Sequence, residues 1–379
     1  MSSTVKSLKV TYNPNPNKEN TFTDGDWVSG NVTLEVTKDC EMDYLLIKFK
    51  GKSEVLWTER HGKTTVVYHS KDKYFSFKHY LVRNKDHKGD DNEALLPNQG
   101  GDTYSNVIPL GCHIYPFQFQ IPCQNTPSSF KGSVGKIVYL LEAKLSRSMR
   151  IPTKDSTKIN FVGQPDLNSY SGIMTPQHET KDKKMKFFTS GTVAMDVNLE
   201  KTGFIQGEGL KVTAYIENNS SREIKPKFCV YRKHSFFARG KRRLSTKDIF
   251  KEVGDPIPPS SNQNVTRILQ IPHDLEPSIL NCSNIKAEYR VRVYLDVKYA
   301  SDPEIKFPIV ILPASQVSAA APPPAASDFG FEPFGSTNPP AWGIAPPQPP
   351  TAPQAFSDPP PPYGAHGMYP PLADYDKKY

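Results

Sequence analysis

The sequence predicts an all-β body of two tandem domains, of sandwich or barrel type, followed by a proline-rich tail. Three observations carry that prediction: alternating strand-like runs without helical periodicity, an internal repeat, and the crowding of proline at one end. The runs include Val32–Val36, Tyr74–Phe77, Phe117–Ile121 and Tyr289–Val297. In each, apolar and polar side chains alternate with the period of two that gives a strand one buried and one wet face. Clusters of Gly, Pro, Asn and Asp separate many such runs at intervals of about a dozen residues. Many short alternating strands in one chain close as sandwiches or barrels. Of the 36 prolines, 18 lie between Pro313 and Tyr379, so composition divides a folded body from a tail.

Taken from the N-terminus, residues 1–20 are polar and lack the apolar core of a signal peptide. No apolar run approaches the ~18 residues that span a bilayer. The expectation is a protein that starts in the cytosol. The repeat then appears: Phe22-Thr-Asp-Gly25-Asp26-Trp-Val28 recurs as Phe204-Ile-Gln-Gly207-Glu208-Gly-Leu210. Gly25 and Gly207 fall where a turn needs positive φ or close chain approach, and a strand follows each. Downstream, Phe119-Gln-Ile-Pro122 matches Leu269-Gln-Ile-Pro272, Pro127-Ser128 matches Pro277-Ser278, and Tyr139 matches Tyr289. These three matches share one offset, which differs from that of the turns. Two landmarks in the same order mean duplicated domains with a longer insertion in the first, and the polar stretch Arg83–Asn106 is its expected main site. Ile159–Val162 reads as a last strand of domain one. The domains are therefore placed at 1–165 and 187–312, with a polar linker at 166–186 and the tail at 313–379.

The five cysteines, Cys40, Cys112, Cys123, Cys229 and Cys282, are widely spaced and mostly in strand-like surroundings. Reduced, buried thiols are expected, and no pair has zinc-ligand spacing. The nine histidines are scattered, and no metal or other cofactor is expected. Cys112-His113 reads as core packing, since neighbours on a strand point to opposite faces and cannot act as a nucleophile–base pair. Gly203–Gly209 lacks the Lys-Ser/Thr of a phosphate loop and opens a strand, so it reads as a turn. With no G-x-S-x-G, HExxH or P-loop present, the reading is not an enzyme.

Charge is uneven. The 45 basic and 34 acidic residues of 1–312 leave +11, while the tail's two lysines and five acids leave −3. Arg239, Lys241, Arg242 and Arg243 form the densest cluster, and Lys181–Lys186 adds another run. Their functional reading is a surface for anionic lipid headgroups or phosphorylated peptides; the alternative is a solvated loop. No recognition helix or nucleic-acid motif accompanies the charge, so no nucleic-acid partner is expected.

The body resembles the arrestin-domain-containing proteins, the α-arrestins. The residues that carry the resemblance are Phe22–Gly30; Leu110–Pro122; Ser128–Gly132 with Ile137–Tyr139; Gly207-Glu208 with Ile216–Ser220; and Asn281-Cys282 running into Tyr289-Arg-Val. The resemblance covers about residues 5–312 and looks closest to the arrestin-domain-containing protein 3 group. It implies two tandem immunoglobulin-like (arrestin-like) β-sandwiches in a trafficking adaptor. A retromer-type coat subunit, which shares that fold, and a hydrolase with an uncatalogued site are the alternatives.

In the tail, Pro, Ala and Gly with few β-branched residues cannot bury enough surface to offset ordering entropy, so disorder and polyproline II are expected. Pro360-Pro361-Pro-Tyr363 is a PPxY motif, whose prolines are pre-ordered and whose Tyr fills a pocket of a WW domain. Pro350-Thr351-Ala352-Pro353 has the PTAP form read by the ESCRT machinery. Tyr369-Pro-Pro-Leu372 fits the Yxxφ signal of clathrin adaptors. With the family plan, these motifs imply that the protein links membrane receptor or transporter cargo tails to WW-domain HECT-type ubiquitin ligases. A cytoplasmic protein recruited to plasma membrane and endosomes, with peripheral membrane contact, is the expected setting. A PPxY motif separates this reading from the alternatives, since neither a coat subunit nor a hydrolase needs one.

Overall fold

The computed structural model describes residues 4–84, 103–164, 172–184, 191–297 and 302–314. Twelve strands build the first sandwich: β1 (Val5–Tyr12), β2 (Thr21–Phe22), β3 (Trp27–Val36), β4 (Cys40–Glu41), β5 (Tyr44–His61), β6 (Thr64–Arg83), β7 (Thr103–Tyr104), β8 (Val107–Ile108), β9 (Gly111–Gln120), β10 (Phe130–Lys131), β11 (Gly135–Ser146) and β12 (Thr153–Phe161). Nine build the second: β13 (Gln177–Lys184), β14 (Gly191–Leu199), β15 (Gly203–Ile205), β16 (Gly209–Ser220), β17 (Lys225–Ala238), β18 (Lys241–Val253), β19 (Ser261–Gln270), β20 (Ile285–Asp296) and β21 (Glu304–Leu312). Among the described residues the helical content is a single 3₁₀ turn, Pro16–Lys18.

The first sandwich faces a sheet ordered β1-β3-β9 with one ordered β2-β12-β11-β5-β6-β7, onto which β10 is added; β4 and β8 form a small separate pair. The second faces β13-β14-β16-β19 with β15-β21-β20-β17-β18. Alternation builds both cores: Ile137, Tyr139, Leu141, Ala143 and Leu145 point inward from β11, as Tyr289, Val291, Val293 and Leu295 do from β20. Their polar neighbours point out. Burying a large aliphatic or aromatic side chain contributes about 1.5–3 kcal/mol, so these inward rows are what hold the sheets face to face.

The repeat is visible atom by atom. In both sandwiches a short strand lies parallel to the last one, β2 beside β12 and β15 beside β21. The turn that follows is closed by an acid three residues on: Asp26 accepts from the Thr23 amide at 2.8 Å, and Glu208 from the Ile205 amide at 2.8 Å. Lys18 pairs with Asp26 at 2.8 Å, and Lys201 pairs with Glu208. Gly25 and Gly207 have φ of +80° and +82°, and a Cβ on Gly207 would lie 2.1 Å from the His273 ring. Only glycine fits there. The buried hydroxyls of Tyr139 and Tyr289 donate to the carbonyls of Pro127 (2.5 Å) and Glu276 (2.7 Å).

Those acceptors correct the alignment by one residue. Ser129 exchanges bonds with Phe161 as Ser278 does with Ile311, so the equivalent of Ser278 is Ser129 and not Ser128. Ser128 instead accepts from the Gly163 amide. The extra length of the first domain is divided. Part lies between Arg83 and Gly111, as expected, and part lengthens the β5–β6 hairpin, whose strands run 18 and 20 residues against 14 and 13 for β17 and β18.

Two further expectations are corrected. The segment assigned to a linker, 166–186, contains β13, which pairs along its whole length with β14 and belongs to the second sandwich. Cys40, Cys229 and Cys282 are buried, but Cys112 and Cys123 are exposed. Cys112 lies opposite Glu35 on the outer face of the β3–β9 pair and is not core, whereas His113 lies opposite buried Leu34 and is itself half-buried.

A single apolar cluster joins the sandwiches: Phe236, Ala238, Ile279, Cys282, Ile285 and Ala287 of the second pack with the core of the first. Gly132 and Gly135 let this happen, since a Cβ on either would stand 2.7 Å from the Phe236 ring. Polar contacts frame it, among them Tyr74 Oη with Cys282 Sγ at 3.3 Å and Ser283 donating to Asp72 at 2.8 Å.

Candidate functional site: the basic hairpin

Arg239 and Gly240 form a two-residue turn between β17 and β18, with φ of +50° and +70°. Positive φ at both positions gives the twist of a type I′ hairpin, matching the right-handed twist of the strands. The basic cluster is thus a tight hairpin and not a loop, and strand alternation splits it. Ala238 pairs with Lys241, Phe237 with Arg242 and Phe236 with Arg243.

Arg242 falls on the face shared with Ser235 and Phe237. Its Nε and Nη2 donate to Ser235 Oγ at 3.1 and 2.7 Å, and its guanidinium lies 5.9 Å from the Phe237 ring centre. Lys241 and Arg243 point to the other face, where Lys247 joins them at the same period of two. All three are exposed, and with Arg239 they make no ion pair among the described residues. Lys247 was missed in the sequence; its spacing from Lys241 and Arg243 was the available signal, once 241–247 is taken as strand. A bulge at Ile249 then turns Phe250 onto Val230, ending the basic ridge against the second core.

Beneath the ridge, the Glu276 carboxylate accepts from Arg232 Nη1 at 2.8 Å and lies 3.3 Å from His234 Nε2. Burial pushes the Glu276 pKa up, but the nearby His234 ring and the Arg232 guanidinium that donates to the carboxylate outweigh it and hold it below the ordinary 4.5. The His234 ring meets Phe130 of the first sandwich edge-on at 4.9 Å. The root of the hairpin is therefore tied to the junction, while its tip and outer strand are exposed among the described residues. Of the second basic run, Lys181, Lys183 and Lys184 lie on β13, at the edge of the opposite sheet and apart from this ridge. Among the described residues no three His, Cys, Asp or Glu side chains come together as metal ligands. The three tail motifs, at Pro350–Pro353, Pro360–Tyr363 and Tyr369–Leu372, lie outside the described residues.

Two family models match in tandem: the arrestin (or S-antigen) N-terminal domain over residues 9–168 and the arrestin C-terminal domain over residues 189–316. The chain is a member of the α-arrestin family. Arrestin domain-containing protein 4 of Mus musculus is 27% identical over 310 residues, covering 81% of this chain and 72% of that protein. The Homo sapiens protein of the same name is 28% identical over 312 residues, covering 81% and 71%. Thioredoxin-interacting protein of Homo sapiens is 26% identical over 319 residues, covering 83% and 76%. None of these matches selects the protein 3 group within the family. Proteins of this family are adaptors and scaffolds that bind partner proteins, and a role in trafficking follows for this α-arrestin in that general sense.

Proposed function

We propose that this α-arrestin joins membrane receptor or transporter cargo to WW-domain HECT-type ubiquitin ligases, for ubiquitination, endocytosis and endosomal sorting. The observation that carries the reading is Pro360-Pro361-Pro-Tyr363 in the tail of a tandem arrestin body. The prolines lower the ordering cost of binding, and the tyrosine fills the second pocket of a WW domain.

Pro350–Pro353 would hand the complex to ESCRT components, and Tyr369 with Leu372 would engage clathrin adaptors. The protein would work in the cytoplasm and be recruited to plasma membrane and endosomes. There the ridge of Lys241, Arg243 and Lys247 offers anionic headgroups or phosphorylated cargo an unpaired set of donors. Arg239 extends that set at the turn.

The test is paired. Calorimetry of a 350–370 peptide with a tandem WW fragment should give micromolar affinity, about −8 kcal/mol, lost in Tyr363→Ala. Cargo ubiquitination in cells should fall with the same substitution in the full chain. Equal binding by both peptides refutes the mechanism. Lost peptide binding with unchanged ubiquitination would mean that the sandwiches contact the ligase directly.

A further inference from the structure

At one end of the first sandwich, large apolar side chains stand exposed beside a cluster of charged residues. The turn from β11 to β12 reads Arg147-Ser-Met149-Arg150-Ile151. Met149 is fully exposed and Ile151 is 89% exposed. Arg150 N donates to Arg147 O at 3.2 Å, and Met149 at the tip has φ +57°, a left-handed conformation where glycine would be the easy choice. Leu110, 65% exposed, reaches the same end, because its amide donates to Asp39 at 3.0 Å.

Asp39 lines a recess of about 580 Å³ together with Lys38, Arg147 and Arg150. Arg147 donates one nitrogen to Thr153 Oγ1 at 3.3 Å, and its buried Nε has no hydrogen-bond partner. Lys38 and Arg150 form no ion pair among the described residues. Three acids also line the recess. Asp39 accepts from the Leu110 amide and Asp43 from Ser146 Oγ at 3.2 Å, which leaves Glu41 as the one without a donor among the described residues.

We infer that this tip inserts into an anionic bilayer, with Met149, Ile151 and Leu110 at the acyl boundary and Arg147, Arg150 and Lys38 at the headgroup phosphates. Cations alone would be a solvated face, and exposed apolar side chains alone would suit many protein partners. Their alternation in one exposed turn, Met149 and Ile151 flanking Arg150, beside a recess that Lys38 and Arg147 also line, matches the layered chemistry of a membrane interface. The surface lies on the first sandwich, separate from the β18 ridge. It rests on the adaptor reading only in requiring work at a membrane.

The experiment uses the full chain with phosphatidylcholine vesicles and with phosphatidylcholine/phosphatidylserine vesicles. Tryptophan emission of Met149→Trp, taken as a difference from wild type, should shift to the blue on the mixed vesicles and be quenched by brominated acyl chains. Met149→Asp with Ile151→Asp should lower co-sedimentation about tenfold, and added salt should weaken binding. Melting curves would confirm that these exposed substitutions leave the fold intact. A variant with Lys241→Glu and Arg243→Glu should keep the blue shift, which separates this contact from the ridge. Unshifted emission on both vesicle types, or equal co-sedimentation of the Asp variant, would overturn the inference and leave the tip as a protein contact. Neither result touches the Tyr363 test, so the two readings fail separately.

Discussion

The hairpins β5–β6 and β17–β18 hold the same place in their sheets, yet their outer strands have opposite characters. β6 buries Tyr68, Phe75, Leu81 and Val82. β18 is exposed from Lys241 to Asp248 and turns only Ile249 and Phe250 toward the core. The surroundings of the two strands differ as well. β6 looks onto the junction, where Ser70, Asp72 and Tyr74 meet Asn284, Ser283 and Cys282. The outer edge of β18 meets no strand among the described residues. An open edge invites pairing with other chains, and charged side chains such as Lys241 and Arg243 discourage it. The same cations are then available to an anionic ligand. Duplication gave two copies of one frame, and the two outer strands differ in how many side chains they bury.

Breaking the anchored root of the second hairpin should have the largest effect. Phe236 is fully buried against Gly132 and Gly135 of the first sandwich. Phe236→Ala should cost about 3–5 kcal/mol, combining lost transfer energy with a cavity at the junction. Leu244→Ala, on the exposed strand and half exposed itself, should change stability by no more than about 0.5 kcal/mol. Urea midpoints compare the two. Similar losses would mean that Phe236 does not anchor the hairpin.

Exchange of backbone amides should sharpen the contrast at a smaller scale. Amides of Lys241–Asp248 should exchange roughly tenfold faster than those of Tyr74–Val82, since opening is easiest where few apolar contacts must be broken. Mass spectrometry of peptides from the two strands would measure it. Equal protection would show that a further segment covers β18.

What was legible in the sequence was the part written locally. The inward rows of β3, β9 and β20 announce themselves by alternation, and Gly25 and Gly207 by turn chemistry that only glycine satisfies. β13 was illegible because its side chains are almost all in solvent, so its strand is held by backbone pairing with no apolar row to betray it. The Arg239-Gly240 turn was hidden for a similar reason, since β18 carries no alternation over its first eight residues. The outward face of Cys112 follows from alternation with Phe117 and Phe119, whereas how far sheet cover extends over His113 and Tyr115 is not encoded locally. The tip at Met149 and Ile151 could be found only from exposure, because two apolar residues in a polar turn look ordinary in a row of letters.

Glu276 gives the smallest and most specific asymmetry between the sandwiches. Its carbonyl does for Tyr289 what that of Pro127 does for Tyr139, but only Glu276 adds a carboxylate. That carboxylate ties the segment before β20 to Arg232 and His234 of β17, and its pKa lies below 4.5 in the fold. A depressed folded pKa stabilises the native state above the unfolded value and loses that contribution as pH falls through the folded value. The second sandwich should therefore lose stability below about pH 4.5 through this group. The side chain is 37% exposed, so solvent screening keeps the effect well under 1 kcal/mol, or about 1–2 °C in Tm. Glu276→Gln keeps an oxygen acceptor for Arg232 but has no charge to lose. Its Tm should be slightly lower than wild type at pH 7, and the difference should shrink as the buffer is taken toward pH 3. Asp26, Glu35 and Glu54 are also depressed and remain in both proteins, so only the difference between the two curves reports Glu276. A difference that stays constant from pH 7 to pH 3 would mean that the pairing with Arg232 and His234 contributes through packing alone.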